Sequence, residues 1–193
     1  VSIAGDIFPE DALAAGENAF GSWKGEAGTG STSATGMMPS QKTTGAAEAK
    51  TKRSALVLAG LAGPSAAQPD YHPFLLLKQI LVGAPGGGRL GDRVLTEDAA
   101  IYDIQDETMG GTAEPLFTVR VMADAPEVER AIALMREEFG RITDLGVTEE
   151  DIRRAKRSLI HAWTVRMGNH DEVARMLQYM EAQGLGPDYL EKY

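Results

Sequence analysis

The sequence predicts an α+β fold: a mainly antiparallel sheet with helices packed on one face. Three observations point there. Ala99–Glu107 and Pro115–Ala123 read as strands joined by the turn Met109-Gly110-Gly111-Thr112, which makes a hairpin. Apolar residues stepping by three or four mark long helices after that hairpin. The whole order is strand, helix, linker, strand, helix, short helix, hairpin, helix, helix, so a hairpin is joined to helices on one side.

Taken in order, Val1–Ile7 is a short apolar strand ending at Gly5-Asp6. Phe8-Pro9-Glu10-Asp11 starts a helix, because proline suits the first turn and acids suit the positive end of the helix dipole. Leu13, Gly16, Phe20 and Trp23 recur at helical spacing and predict a packed side. Residues 24–50 are rich in Gly, Ser, Thr and Ala, with Met37-Met38 the only sizeable apolar pair, and read as a linker between residues 1–23 and the main unit, 51–193.

Ser54–Ala62 is apolar on both faces and reads as an interior strand. Pro69-Asp70 opens a helix whose apolar face, Phe74, Leu77 and Leu81, is widened by Leu75, Leu76 and Ile80. A Gly-rich turn, 83–88, leads to a short helix around Leu90–Thr96. In Pro115–Ala123, Phe117, Val119, Val121 and Ala123 form one packed face, and Leu116, Thr118, Arg120 and Met122 the other, partly wet one. Val128, Ile132, Met135, Phe139, Ile142 and Leu145 form the stripe of a long helix that Gly146 ends. Thr148-Glu149-Glu150-Asp151 resembles a capping box with Asp in the Glu position. Ile152, Ala155, Leu159 and Ala162/Trp163 carry the next helix. A break at Gly168-Asn169-His170-Asp171 is recapped by Asn169 or Asp171, and Gly184-Leu185-Gly186-Pro187 ends the last long helix.

Composition narrows the function classes. Hydrophobic content is 43% and charged content 24% over 193 residues, ordinary for a globular protein with one core. A net charge of −9 argues against a nucleic-acid surface, which needs clustered cations. No apolar run is long enough to span a bilayer. The absence of cysteine excludes disulfides and thiolate chemistry. A first residue other than Met and an opening in mid-strand read as a fragment.

The residues that could carry chemistry are few. His72, His161 and His170 show neither the i, i+4 spacing nor the His-x-x-Glu-His pattern of a zinc site, so no zinc is expected on this chain alone. Gly86-Gly87-Gly88-Arg89 lacks the Gly-Lys-Ser/Thr ending of a phosphate loop and reads as a turn allowing close backbone approach. Ser54, Ser65 and Ser158 lack a Gly-x-Ser-x-Gly setting. The acids of the long helices read as solvated faces paired with basic residues four positions on, Glu149 with Arg153 and Glu150 with Arg154. Tyr102 reads either as a half-buried strand tyrosine or as a functional group.

Five stretches together resemble the C-terminal module of the M16 (pitrilysin-type, mitochondrial-processing-peptidase-like) zinc peptidases. They are Val1–Ile7 with Pro9-Glu10; Ala19-Phe20-Gly21-Ser22-Trp23; Pro69-Asp70-Tyr71 with the apolar helix and Gly88-Arg89-Leu90; Gly146-Val147-Thr148-Glu149-Glu150 with Ala155-Lys156; and Pro187-Asp188-Tyr189-Leu190. Each is modest alone; their order and spacing carry the resemblance across the chain.

The resemblance implies the fold of one half of such a peptidase. It implies a non-catalytic half that closes a chamber around a peptide substrate. The zinc and general base would be held by an N-terminal catalytic domain or partner subunit, and none by this chain. In active pairs this half presents an Arg and, seven residues later, a Tyr to the substrate. Tyr102 lies at the Tyr position, but Leu95 stands where the Arg should be. Arg93, or Arg89, is the candidate substitute after a local shift, so Tyr102, Arg93 and Arg89 are the expected substrate-binding residues. The missing Arg favours a rival reading as a structural or assembly subunit, like degenerate homologues in respiratory complexes. Relatives suggest a periplasmic location. The resemblance also places the domain's final strand beyond Tyr193, and the vacant sheet edge is expected to be filled by Val1–Ile7, within one molecule or across a homodimer.

Overall fold

The computed structural model describes residues 1–25, 53–83, 88–97, 101–109 and 115–192, and within these not the side chains of 53–62, 94–97, 101, 102, 109 and 192. The expected linker 24–50 and the tip of the expected hairpin therefore lie almost wholly outside the described residues, as does most of the Gly-rich turn. The chain divides into two units, Met37–Ile160 and Val1–Gly36 with His161–Tyr193.

The larger unit has the expected α+β architecture. Its sheet comprises β1 (Arg53–Ala62), β2 (Ile101–Met109) and β3 (Leu116–Asp124) in the order β1-β3-β2, both pairings antiparallel. β3 is the centre because its alternation serves one core face: Phe117, Val119, Val121 and Ala123 are buried. Against that face pack Leu81 and Val82 at the end of α2 (Tyr71–Leu81), Leu90 of α3 (Arg89–Glu97), and Ala131 and Met135 of α4 (Val128–Leu145). Phe74 meets Phe117 edge to face at 5.6 Å between centroids. Lys78 of α2 reaches over the Phe117 ring to Asp106 at 2.8 Å and donates to Thr108 at 2.7 Å. These contacts place the helices on one face of the sheet.

The strand Ser54–Ala62 is β1, paired with β3 among the described residues. One expectation in this unit needs correction. In α4, Leu145 is 82% exposed although it lies on the expected stripe. The buried line of the helix is Ala131, Met135 and Glu138, and it does not extend to the last turn.

The turn chemistry holds. A 3-10 turn, Ala125–Glu127, leads into α4, and Gly146 ends it at φ 73°, where a side chain would be strained. The capping box at the start of α5 (Glu149–Met167) forms in both directions. Asp151 N–H donates to Thr148 Oγ1 at 3.1 Å, while Thr148 N–H and O–H donate to Asp151 Oδ2 at 3.0 and 2.8 Å.

In the smaller unit, α1 (Pro9–Phe20) forms but buries none of its residues; Leu13 is 75% and Trp23 78% exposed. The predicted packed side is therefore bare: helical spacing creates a stripe but supplies no partner for it. Phe20 and Trp23 do meet each other edge to face at 5.1 Å. Residues 1–7, expected as a strand, form none here; an apolar run becomes a strand only where a ladder partner supplies its hydrogen bonds. Asn169 caps α6 (His170–Gln183), its Oδ1 accepting from Asp171 N–H at 2.9 Å and Glu172 N–H at 3.3 Å. Gly184, at φ 64°, closes α6 with bonds from Gly184 N–H to Glu181 O and Leu185 N–H to Met180 O, the two bonds of a Schellman motif. The short α7 (Tyr189–Lys192) follows.

Candidate functional site

The candidate residues lie on α3 and β2. Gly88 positions the start of α3. A Cβ there would stand 2.6–2.7 Å from backbone atoms of Leu81, Val82 and Gly83, so only glycine lets the chain pass this close to the end of α2. The expected close backbone approach is thus present at Gly88, and Leu90, fully buried, anchors α3 to the sheet.

Arg89 and Arg93 are one helical turn apart and share a face of α3. Both meet Glu138 of α4: Arg89 Nε lies 2.5 Å from Oε1, and Arg93 Nη1 lies 3.6 Å from Oε2. Arg93 Nη2 also donates to Glu137 at 2.8 Å, and Glu137 accepts from Arg141 at 3.0 Å. Arg89 Nη1 donates to the Gly146 carbonyl at 3.3 Å and stands 3.8 Å from Asp151. Arg154 of α5 completes the group, 2.9 Å from Asp92 and 3.7 Å from Asp151. It does not form the expected pair with Glu150, which goes to Arg153 at 2.7 Å and Arg157 at 3.5 Å. Asp92 lies on the side of α5 that carries Arg154, and a charge from another helix competes with one four residues back. Four arginines, Arg89, Arg93, Arg141 and Arg154, and three carboxylates, Asp92, Glu138 and Asp151, line an open depression of about 500 Å³.

The carboxylates respond to this setting. Burial alone would raise the Asp151 pKa, but the Thr148 hydrogen bonds, with Arg89 and Arg154 nearby, overcome it and hold the group below its ordinary value. The hydrogen bond from Arg93 lowers that of Glu137, and the one from Arg153 lowers that of Glu150.

The sequence reading missed Glu138. It treated the helix acids as solvated, whereas Glu138 is 3% exposed. A signal existed: Ala131, Met135, Glu138 and Ile142 step by four, three and four, so this Glu stands on an apolar line. A buried carboxylate requires partners, and arginines four apart in the preceding short helix are suitable ones.

Tyr102 lies in β2 where the ladder shifts. Ile101 pairs with Ala123 and Asp103 with Met122, leaving Tyr102 as the extra residue of a bulge. Bulges re-aim side chains and are frequent beside functional sites. The structure brings Arg89 and Arg93 together on α4 carboxylates; position 95, two residues on, lies on roughly the opposite side of the helix from Arg93. The side chains of Leu95 and Tyr102 are outside the described residues.

The described residues do not fit zinc, since no three His, Cys, Asp or Glu side chains converge among them. His72 stacks edge-on against Tyr71 at 5.5 Å, and His161 and His170 are exposed. No helix is long and apolar enough to cross a membrane among the described residues.

The model of the family described as peptidase M16 inactive domain matches residues 1–159. Among solved structures, a peptidase M16 inactive domain from Pseudomonas fluorescens is 25% identical, with a TM-score of 0.65 over 74% of this chain and 34% of that one. A candidate zinc protease from Bordetella pertussis is 20% identical, with a TM-score of 0.54 over 67% and 71%. A protease from Helicobacter pylori is 13% identical, with a TM-score of 0.69 over 97% and 47%. The latter two likenesses show the fold alone. The chain spans about a third of the Pseudomonas protein's length. No curated protein matches it.

Proposed function

The chain belongs to the peptidase M16 inactive-domain family, and from that premise we propose that it is the non-catalytic half of a zinc peptidase, closing a peptide-enclosing chamber against a zinc-bearing N-terminal domain or subunit. The family match over residues 1–159 carries this reading. Within this half, Tyr102 is the group offered to the peptide: a phenol can donate to a peptide carbonyl or to its developing oxyanion. Its position in a bulge on an outer strand of the described sheet supports that role. Arg89 and Arg93 serve as anchors of α3, because their guanidinium groups already meet carboxylates of α4.

The experiment joins this chain to its zinc-bearing half and follows hydrolysis of a fluorogenic peptide. Chelator-sensitive cleavage is expected from the assembled protein and not from this chain alone. Tyr102→Phe should lower kcat of the assembly on the order of 10²-fold, the scale of one lost oxyanion donor. Chelator-sensitive cleavage by this chain alone would overturn the reading. Leu95, standing where the resemblance expects Arg, favours a second reading as an assembly subunit without a proteolytic role. An assembly that stays intact but cleaves nothing would select it.

A further inference from the structure

Glu138 is the one acidic side chain buried among the described residues. It sits within α4, and both of its oxygens face arginines of a single nine-residue helix. Two arginines four apart can share one carboxylate only if that face of α3 is turned toward α4, so the pairing sets the helix's rotation as well as its distance. Two further links hold α3 to the α4–α5 junction: Arg89 to the Gly146 carbonyl at 3.3 Å, and Asp92 to Arg154 at 2.9 Å. At its start, α3 is fixed by the tight passage at Gly88. Beyond its end comes β2, whose first residues contain the bulge at Tyr102. A buried ion cluster is often no more stabilising than apolar packing of the same volume, so stability alone is a weak account of this one. Geometric definition of α3 is the stronger account.

We propose that Glu138 is a positioning residue: through Arg89 and Arg93 it fixes α3, and through α3 the bulged start of β2 where Tyr102 is presented. The last link rests on the reading of Tyr102 as the peptide-contacting group.

The test compares wild type with Glu138→Gln in the assembled two-half protein, by hydrogen exchange and by peptide affinity. The substitution keeps size and removes charge. Exchange should rise roughly tenfold in α3 and at the start of β2, with β3 and α6 unchanged, as for a local opening. Peptide affinity should fall several-fold, and the losses from Glu138→Gln and Tyr102→Phe should be less than additive, because both act through one contact. Unchanged exchange in α3 and β2 would overturn the proposal, and so would a uniform rise that includes β3, which marks a purely structural role. If Glu138→Gln does not fold, Arg93→Gln at the cluster's wetter end provides the same readout under the same criteria. A local rise in exchange in a protein that binds no peptide would retire the peptide reading while leaving the clamp on α3 and β2 standing.

Discussion

α1 and α4 carry similar apolar patterns and reach different environments. In α4 the line through Ala131 and Met135 is fully buried against the sheet. In α1 the stripe that continues to Trp23 stays in solvent, and no residue of the helix is buried. The lesson is that periodicity states which side of a helix is available for packing, and only a facing element of matching shape turns availability into free energy. α4 has β3, with four inward side chains in register. α1 has no such partner among the described residues.

The sharpest way to break this comparison is to truncate the packed side. Met135→Ala should destabilise the chain by about 2–5 kcal/mol, the range for large-to-small changes in well-packed cores. Urea unfolding followed by circular dichroism reads the loss as a lower midpoint at unchanged slope. A loss well under 1 kcal/mol would mean that the site collapses freely, and α4 would then resemble α1 more than its burial suggests.

The fold was legible wherever the signal was local. β3 announced itself by alternation, and the Thr148–Asp151 box, the Asn169 cap and the Gly184 stop by turn chemistry; each needs only a few neighbouring residues to act. The site was legible in part. Tyr102 was singled out by resemblance, but the bulge that holds it depends on Ala123 and Met122 of another strand. Glu138 could have been read from its place on an apolar line, yet its partners Arg89 and Arg93 lie over 40 residues earlier. Spacing ties Arg154 to Glu150, whereas in the structure it pairs with Asp92 and Asp151. Each miss involves a partner distant in sequence, the information that a single strand or helix pattern lacks.

Between the two extremes lies the α4–α5 junction, where Asp151 is partly covered and doubly hydrogen-bonded. Its folded pKa is held below the unfolded value. That stabilisation is fully present above the unfolded value, about 4, and is lost as pH falls through the folded value. Asp151→Asn should cost about 1 kcal/mol at pH 7, typical of a lost cap. The gap from wild type should close as pH drops below about 4, where wild type loses the same charge. Urea midpoints at pH 7 and pH 3 check this. A gap independent of pH would mean that the hydrogen-bond geometry matters and the charge does not.

The smallest effect is expected where the stripe is bare. Leu13→Ala removes a large apolar side chain, the same kind of change as Met135→Ala, yet it should alter stability by no more than about 0.5 kcal/mol. The side chain already faces water in the folded state, so little transfer free energy is at stake, and alanine's better helix propensity offsets part of what is lost. Paired urea titrations of Leu13→Ala and Met135→Ala at two protein concentrations make the contrast direct. A loss of 2 kcal/mol or more for Leu13→Ala at both concentrations would mean that another part of the same molecule covers α1 in solution. A loss present only at the higher concentration would place a second molecule on that face, since only an intermolecular contact follows mass action. Either result would move α1 into the class of α4 and identify where its partner comes from.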